Sequence, residues 1–150
     1  MEKIGYITIE EANNFIASHF LSTSTERKAW ETLTDEDKSV LLTIGFENIE
    51  NNIYKGYKTY SNQETQWPRN GSEEIPNDIK AAQIYEALEN GFGDTTSYDA
   101  IEKGIKSETI GKISTSYFSN AFNSFSSNSV KSTTSRKLLN KYIKRVFQVV

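Results

Sequence analysis

The chain of 150 residues contains no cysteine and only one histidine, His19. Without cysteine it can form no disulfide, no thiolate metal site and no cysteine nucleophile. One imidazole also argues against a zinc site and against a histidine-based catalytic triad. No apolar run is long enough to span a bilayer, and the N-terminus lacks the layout of a signal peptide. We therefore expect no membrane partner and synthesis as an intracellular protein.

The motifs of common chemistries are also missing. The sequence has no Gly-rich phosphate-binding loop, no metalloprotease histidine pair and no nucleophile elbow. Paired carboxylates such as Glu10 with Glu11 stand where predicted helices begin, and the helix dipole explains them there. We therefore expect no enzyme, no catalytic residue, no metal and no cofactor.

Charge is divided along the chain. Residues 1–108 hold all 20 acidic residues and 10 of the 17 basic ones, a net charge of −10, whereas residues 109–150 hold 7 basic residues and no acidic one. Basic blocks favour nucleic acid or an acidic protein surface. The alternative is a tail that neutralises its own acidic domain.

Apolar spacing predicts a mainly α fold, an antiparallel bundle of four to five helices. The first predicted helix runs from the capping box Thr8–Glu11 to about residue 20, and the second lies near residues 26–33 with Trp30 turned inward. The third runs from Thr34 to about Tyr54, where Gly56 ends it. The fourth runs from Pro76 to Asn90-Gly91. Gly45 inside the third helix costs stability unless a neighbour packs closely against it.

Trp67 stands in the irregular connection between the two longest predicted helices. Both prolines of the chain, Pro68 and Pro76, lie in or next to this connection. Because a buried tryptophan usually anchors packing, we expect Trp67 to fix the connection onto the two helices.

The C-terminal third has a different composition. Thr, Ile and Tyr alternate partially around Gly111 and predict a small β-hairpin near residues 105–117. Residues 119–135 are Ser, Thr or Asn at 12 of 17 positions, which is typical of a flexible segment. Residues 136–150 form a basic amphipathic helix or arm. The predicted organisation is a core at 1–118, a flexible segment at 119–135 and a C-terminal arm.

Several short patterns occur in a characteristic order. They are Tyr6-x-Thr8-x3-Ala12, Trp30, Tyr54-x-Gly56, Gln63-x3-Trp67-Pro68-Arg69, Ile75-Pro76, Ala81-Ala82, Ile105 to Ser114, and Leu138-Leu139-x2-Tyr142-Ile143. This order resembles the head–tail connector adaptor, or head completion, proteins of long-tailed phages and prophages. Many members are catalogued as DnaT-like single-stranded DNA-binding proteins. The resemblance covers residues 6–118 and, more loosely, the last helix, while the Ser/Asn-rich segment departs from it.

The resemblance implies a structural protein of the virion. It would form a ring, usually of twelve copies, beneath the portal protein, extend the DNA channel and dock a stopper or tail-completion protein. The expected partners are therefore the portal, that docking protein, other copies of the chain and the packaged DNA. The expected location is the head–tail interface, with the host cytoplasm before assembly.

The resemblance also implies roles for individual residues. The structural anchors would be Trp30, Tyr54, Gly56, Gln63, Trp67, Pro68, Arg69 and Pro76. Because related adaptors send a C-terminal segment to the portal, the portal-binding residues would be Lys131, Arg136, Lys137, Leu138, Leu139, Lys141, Tyr142, Ile143, Lys144 and Arg145.

The alternative is a single-stranded DNA-binding protein of phage replication. Such proteins combine cations with aromatic side chains on which bases stack. Cations at Lys131 to Arg145 would serve, with stacking platforms at Tyr117, Phe118, Phe122 and Phe125. The acidic remainder of the chain argues against this alternative, because it repels phosphates.

Overall fold

The computed structural model describes residues 2–93 and 130–144. These residues form five helices, numbered here in chain order: α1 Ile9–His19, α2 Thr25–Thr32, α3 Asp35–Glu50, α4 Asn77–Phe92 and α5 Thr133–Leu139. The β structure among the described residues consists of three isolated bridges, and these residues form no sheet. The mainly α prediction is confirmed. The β-hairpin predicted near residues 105–117 lies outside the described residues.

Side-chain caps set where the first three helices begin. The Thr8 hydroxyl accepts a hydrogen bond from the Glu11 amide at 3.1 Å, and the Glu11 carboxylate accepts one from the Thr8 amide at 2.7 Å. This reciprocal capping box confirms the predicted start of α1. Ser24 and Thr34 cap α2 and α3 with one bond each, in which the hydroxyl oxygen accepts from the amide of Arg27 or of Asp37.

The third and fourth helices form the central pair, and their backbones approach closely at Gly45. A Cβ atom on Gly45 would lie 2.5 Å from the carbonyl oxygen of Gln83 and 3.1 Å from the amide nitrogen of Ala87. The missing side chain therefore lets the two backbones meet. This close contact explains why a glycine occupies this position, although glycine lowers the stability of an isolated helix.

Two predicted helix ends are wrong. Helix α3 ends at Glu50 rather than near Tyr54, because the Tyr54 hydroxyl folds back and donates a hydrogen bond to the Ile49 carbonyl at 2.6 Å. Helix α4 continues past Gly91 to Phe92. A Cβ atom on Gly91 would lie 2.7 Å from Leu41 Cδ1, so this glycine makes room for a neighbouring side chain and does not end the helix.

The last helix begins earlier than predicted, and the flexible segment needs correction at residues 130–135. The Ser132 hydroxyl caps α5, accepting from the Ser135 amide at 3.3 Å. Ser135 is fully buried and donates its hydroxyl to the Ala82 carbonyl at 2.7 Å. Small hydroxyl side chains here satisfy backbone groups in a tight contact with α4, so their polarity is compatible with burial.

The buried side chains form two clusters, and α4 contributes to both. The Trp67 cluster contains Tyr6, Ile49, Tyr54, Trp67, Ile79, Ala82, Val130 and Leu139. The Trp30 cluster contains Ile7, Ala12, Ile16, Trp30, Leu42, Ile84, Ala87 and Leu88. Removing residues 119–150 would take Val130 and Leu139 out of the first cluster, so residues 1–118 lack part of their own core. Within the described ranges, no helix has the length and apolarity that a membrane span requires.

Candidate nucleic-acid interface

The connection between α3 and α4, residues 51–76, is held against the helices by Trp67. Its indole is 5% exposed and makes edge-to-face contacts with the rings of Tyr54, at 5.4 Å between centroids, and Tyr142, at 5.3 Å. Aromatic pairs in this arrangement add to the stabilisation from burial. We call this connection the Trp67 loop.

Arg69 fixes the fold of the Trp67 loop from within. Its guanidinium donates to the carbonyl oxygens of Tyr54, Lys55 and Gly56 at 2.9 to 3.2 Å. It also donates to the backbone and side-chain oxygens of Gln66 at 3.1 and 3.0 Å. With five acceptors inside the chain and 7% exposure, Arg69 is a structural residue and is not presented to a ligand.

Gln63 and Gly56 support the same loop. The Gln63 amide donates to the carbonyls of Thr65 and Pro68 at 2.8 and 2.9 Å, and its oxygen accepts from the Tyr60 amide at 3.3 Å. Gly56 has a φ of 81°, a left-handed conformation that favours glycine.

The remaining predicted anchors lie at helix positions. The Trp30 indole is buried on α2 and donates to the Asn13 side-chain oxygen at 2.8 Å. Pro76 is the N-cap residue of α4. Trp30 and Pro76 thus lie on the helical scaffold, whereas Gly56, Gln63, Trp67 and Arg69 lie in the Trp67 loop.

The C-terminal segment 130–144 is attached to α4 by a buried carboxylate. Glu86 is fully buried and accepts hydrogen bonds from the amides of Lys131 and Ser132 at 2.8 and 2.9 Å. The side-chain amides of Asn48 and Asn90 also donate to it, at 2.8 and 3.1 Å. These four hydrogen-bond donors offset the free-energy cost of burying the carboxylate. The two backbone donors also position the start of α5.

The other end of this segment pairs with the Trp67 loop. The Lys55 amide donates to the Tyr142 carbonyl and the Lys144 amide donates to the Ile53 carbonyl, both at 2.8 Å. These bonds enclose an antiparallel bridge between Tyr54 and Ile143. Lys144 therefore lies directly opposite Ile53, although 91 positions separate them in the sequence.

Asp78 on α4 holds the same end by its side chain. Its carboxylate accepts from the Tyr142 hydroxyl at 3.2 Å and lies 2.5 Å from the Lys141 ammonium. The hydrogen bond from Lys141 keeps the pKa of Asp78 below its ordinary value.

Where residues 51–63 meet residues 130–144, neither stretch contributes an acidic residue, and the nearby Asp78 carboxylate is paired with Lys141. No acidic residue occurs between Glu50 and Glu64, and none occurs in residues 130–144. Ile53 and Tyr57 are each 64% exposed. Lys55 lies between them in the chain and Lys144 lies opposite Ile53 across the bridge, and both lysine side chains are exposed. We call Ile53, Lys55, Tyr57 and Lys144 the basic–aromatic edge. Exposed aromatic rings combined with cations are the composition of single-strand binding surfaces.

A glutamate marks one end of this surface. The Tyr60 hydroxyl donates to the Glu73 carboxylate at 3.3 Å. The negative charge of Glu73 raises the pKa of Tyr60. A phosphate would be repelled at this position, so the favourable surface extends from Tyr57 toward Lys144 and not past Tyr60.

The sequence model of one family, described as "Putative DnaT-like ssDNA binding protein", matches residues 5–149. The chain belongs to this family. No significant match was found among curated proteins or among solved structures. Family membership therefore confirms one part of the resemblance found in the sequence, the DnaT-like part.

The structure gives the predicted portal-binding residues two different environments. Leu139 is fully buried, and Leu138, Tyr142 and Ile143 pack against the Trp67 cluster. The apolar members of the set thus contact the chain's own core. The side chains of Lys137, Lys141 and Lys144 are exposed, those of Lys131 and Arg136 are half-buried, and Arg145 lies outside the described residues.

The predicted stacking platforms of this DnaT-like chain, Tyr117, Phe118, Phe122 and Phe125, also lie outside the described residues. Sequence reasoning missed the basic–aromatic edge because its two lysines are far apart in the chain. The available signal was the run of 13 residues from Asn51 to Gln63, which has three tyrosines, two lysines and no acidic residue. Within the described ranges, no group of three or more His, Asp or Glu side chains is arranged to hold a metal.

Proposed function

We propose that the protein binds single-stranded DNA and performs no chemistry on it. The observation that carries this proposal is the basic–aromatic edge, where exposed tyrosine and lysine side chains lie on two paired stretches of chain that contain no acidic residue. Membership of a family described as DnaT-like supports the same ligand.

Charge determines how such binding would behave. Residues 1–108 carry a net charge of −10 and repel phosphates, so contact is favourable only where acidic residues are absent. The exposed cations of that surface are few. We therefore expect modest affinity that falls as the salt concentration rises, because each phosphate contact on a single strand contributes a slope of about −0.7 in log affinity against log salt.

A salt titration tests the proposal. The full chain is mixed with a fluorescently labelled oligothymidine, and binding is followed by anisotropy from low to physiological salt. A measurable affinity at low salt with a slope of about −1.4, the value for two phosphate contacts, is the expected result. Absence of binding even at low salt would contradict the proposed function.

A second candidate is the connector adaptor, an assembled ring beneath a phage portal. It is favoured by exposed apolar side chains on two separate elements, Leu21 between α1 and α2 at 77% exposure and Val40 on α3 at 57%. A ring needs two different contact surfaces on each copy, and two separate apolar positions suit that requirement. Contact with the portal would use the exposed lysines of the C-terminal segment, because its apolar residues pack internally.

The copy number in purified virions tests the adaptor candidate. Quantitative mass spectrometry would give the ratio of this chain to the portal protein, and a ratio near one is expected of a matching ring. If the chain is abundant in infected cells and absent from virions, the adaptor candidate is wrong and the DNA-binding proposal gains support.

A further inference from the structure

We infer that Tyr57 is a stacking platform for a DNA base and that Lys55 and Lys144 contact the neighbouring phosphates. This inference rests on the proposed function and names the residues that carry it. It also specifies the ligand, because a base is free to stack on a protein ring only when it is not stacked within a duplex.

The environment of Tyr57 shows an exposed ring on a fixed backbone. Its amide donates to the Asn70 side-chain oxygen at 3.2 Å, and its carbonyl accepts from the Asn70 amide at 2.8 Å. The ring is 64% exposed, and its hydroxyl makes no hydrogen bond to any residue in the described ranges. The ring thus has little structural role, while its attachment is rigid enough to lower the entropy cost of binding.

Hydrogen bonds also fix the backbones of Lys55 and Lys144. The Lys55 amide is bonded to Tyr142 and its carbonyl to the Arg69 guanidinium, at 2.8 and 3.1 Å. The Lys144 amide is bonded to Ile53. Neither ammonium group takes part in an ion pair within residues 2–93 and 130–144. Two fixed backbones therefore present two cations that the described part of the chain does not neutralise.

The position of the lysines relative to the ring fits a single strand. Gly56 alone separates Lys55 from Tyr57, and Lys144 lies across the antiparallel bridge from Ile53. Cations on the two paired backbones allow a base to stack on the ring while its phosphates contact the lysines. Three residues beyond Tyr57, Tyr60 is bonded to Glu73, whose charge disfavours a phosphate there.

Substitution of Tyr57 tests the stacking role. We expect Tyr57→Ala to weaken binding of an oligothymidine by about 5-fold to 150-fold, the range found when a stacking aromatic is replaced by alanine. Tyr57→Phe keeps the ring and should keep the affinity within about twofold of the parent, since base stacking requires only a π-face. Equal affinity of the alanine and phenylalanine variants would overturn the inference.

Substitution of the lysines tests the phosphate contacts. Lys55→Ala and Lys144→Ala should each reduce the magnitude of the salt slope by about 0.7, the value for one lost contact. Lys28→Ala, at an exposed position on α2, is the matched control and should leave the slope unchanged. If the parent protein binds and neither edge lysine changes the slope, the inference fails while the proposed function stands. If the parent does not bind, the proposed function itself fails.

Discussion

The two tryptophans of this chain show two ways of building a core. Trp30 lies on a helix, and its indole is bonded to Asn13 on the preceding helix, 17 positions away. Trp67 lies in a loop between helices, and its ring contacts Tyr142, 75 positions away in the sequence. The Trp30 region is therefore assembled largely from neighbouring segments, whereas the Trp67 region depends on the C-terminal segment. The proposed DNA-binding surface belongs to the second region.

The largest expected effect comes from removing either indole. Both Trp67→Ala and Trp30→Ala should lower the free energy of unfolding by about 3–5 kcal/mol. Only Trp67→Ala should accelerate hydrogen exchange at the Lys55 and Lys144 amides, because its ring packs beside the bridge that protects them. Native-state exchange followed by NMR measures this. Equal acceleration by both variants would contradict the division into two regions.

A methyl group at Gly45 should disturb the packing of α3 against α4, the helix that contributes to both regions. Its Cβ would meet backbone atoms of α4, which cannot rotate away, so Gly45→Ala should cost about 1–3 kcal/mol despite the better helix propensity of alanine. Gly91→Ala is the control, because its Cβ would meet the movable end of Leu41. Urea denaturation should show a clearly smaller loss for Gly91→Ala. A larger loss there would contradict the tight contact of Gly45 with the α4 backbone.

Glu86→Gln tests how the C-terminal segment is attached. Glutamine offers one acceptor oxygen in place of two, so one of the amides of Lys131 and Ser132 loses its partner at a cost of about 1–3 kcal/mol. Exchange at these two amides should accelerate. Glu47→Gln, at an exposed position on α3, is the control and should leave them unchanged. Unchanged exchange in Glu86→Gln would contradict the attachment described above.

The smallest effect is the acid dependence contributed by Asp78. Because its pKa in the folded protein lies below the ordinary value of 3.8, its contribution to stability is complete above that value. The contribution is lost as the pH falls through the lower pKa of the folded state. The pair with Lys141 is partly exposed, so we expect less than about 1 kcal/mol. Asp78→Asn should remove this acid-sensitive part from a plot of unfolding free energy against pH, and an identical plot would contradict the role of the pair.

Local signals predicted the Trp30 region well. The capping box at Thr8 and the inward position of Trp30 depend on residues close in the chain, so the sequence alone was sufficient. The end of α3 was mispredicted because apolar spacing continued to Tyr54. Its hydroxyl instead turns back to Ile49, while its backbone pairs with Ile143. That partner is distant in the chain, and spacing within one helix carries no information about it.

The candidate site was hidden for the same reason. Composition correctly indicated a basic C-terminal block, but it could not show that Lys144 lies opposite Ile53. Polarity also suggested flexibility up to Ser135, whereas Ser135 and Glu86 satisfy backbone groups inside the fold. Buried polar residues with specific partners look like surface residues in a sequence.

The most direct test of the central claim is a map of backbone amide chemical shifts during titration of the full chain with an oligothymidine. Binding at the basic–aromatic edge predicts the largest changes at Lys55, Tyr57 and Lys144, with little change at Lys28 on α2. Saturable changes that leave Lys55, Tyr57 and Lys144 unaffected would show that DNA binds elsewhere and would contradict the account.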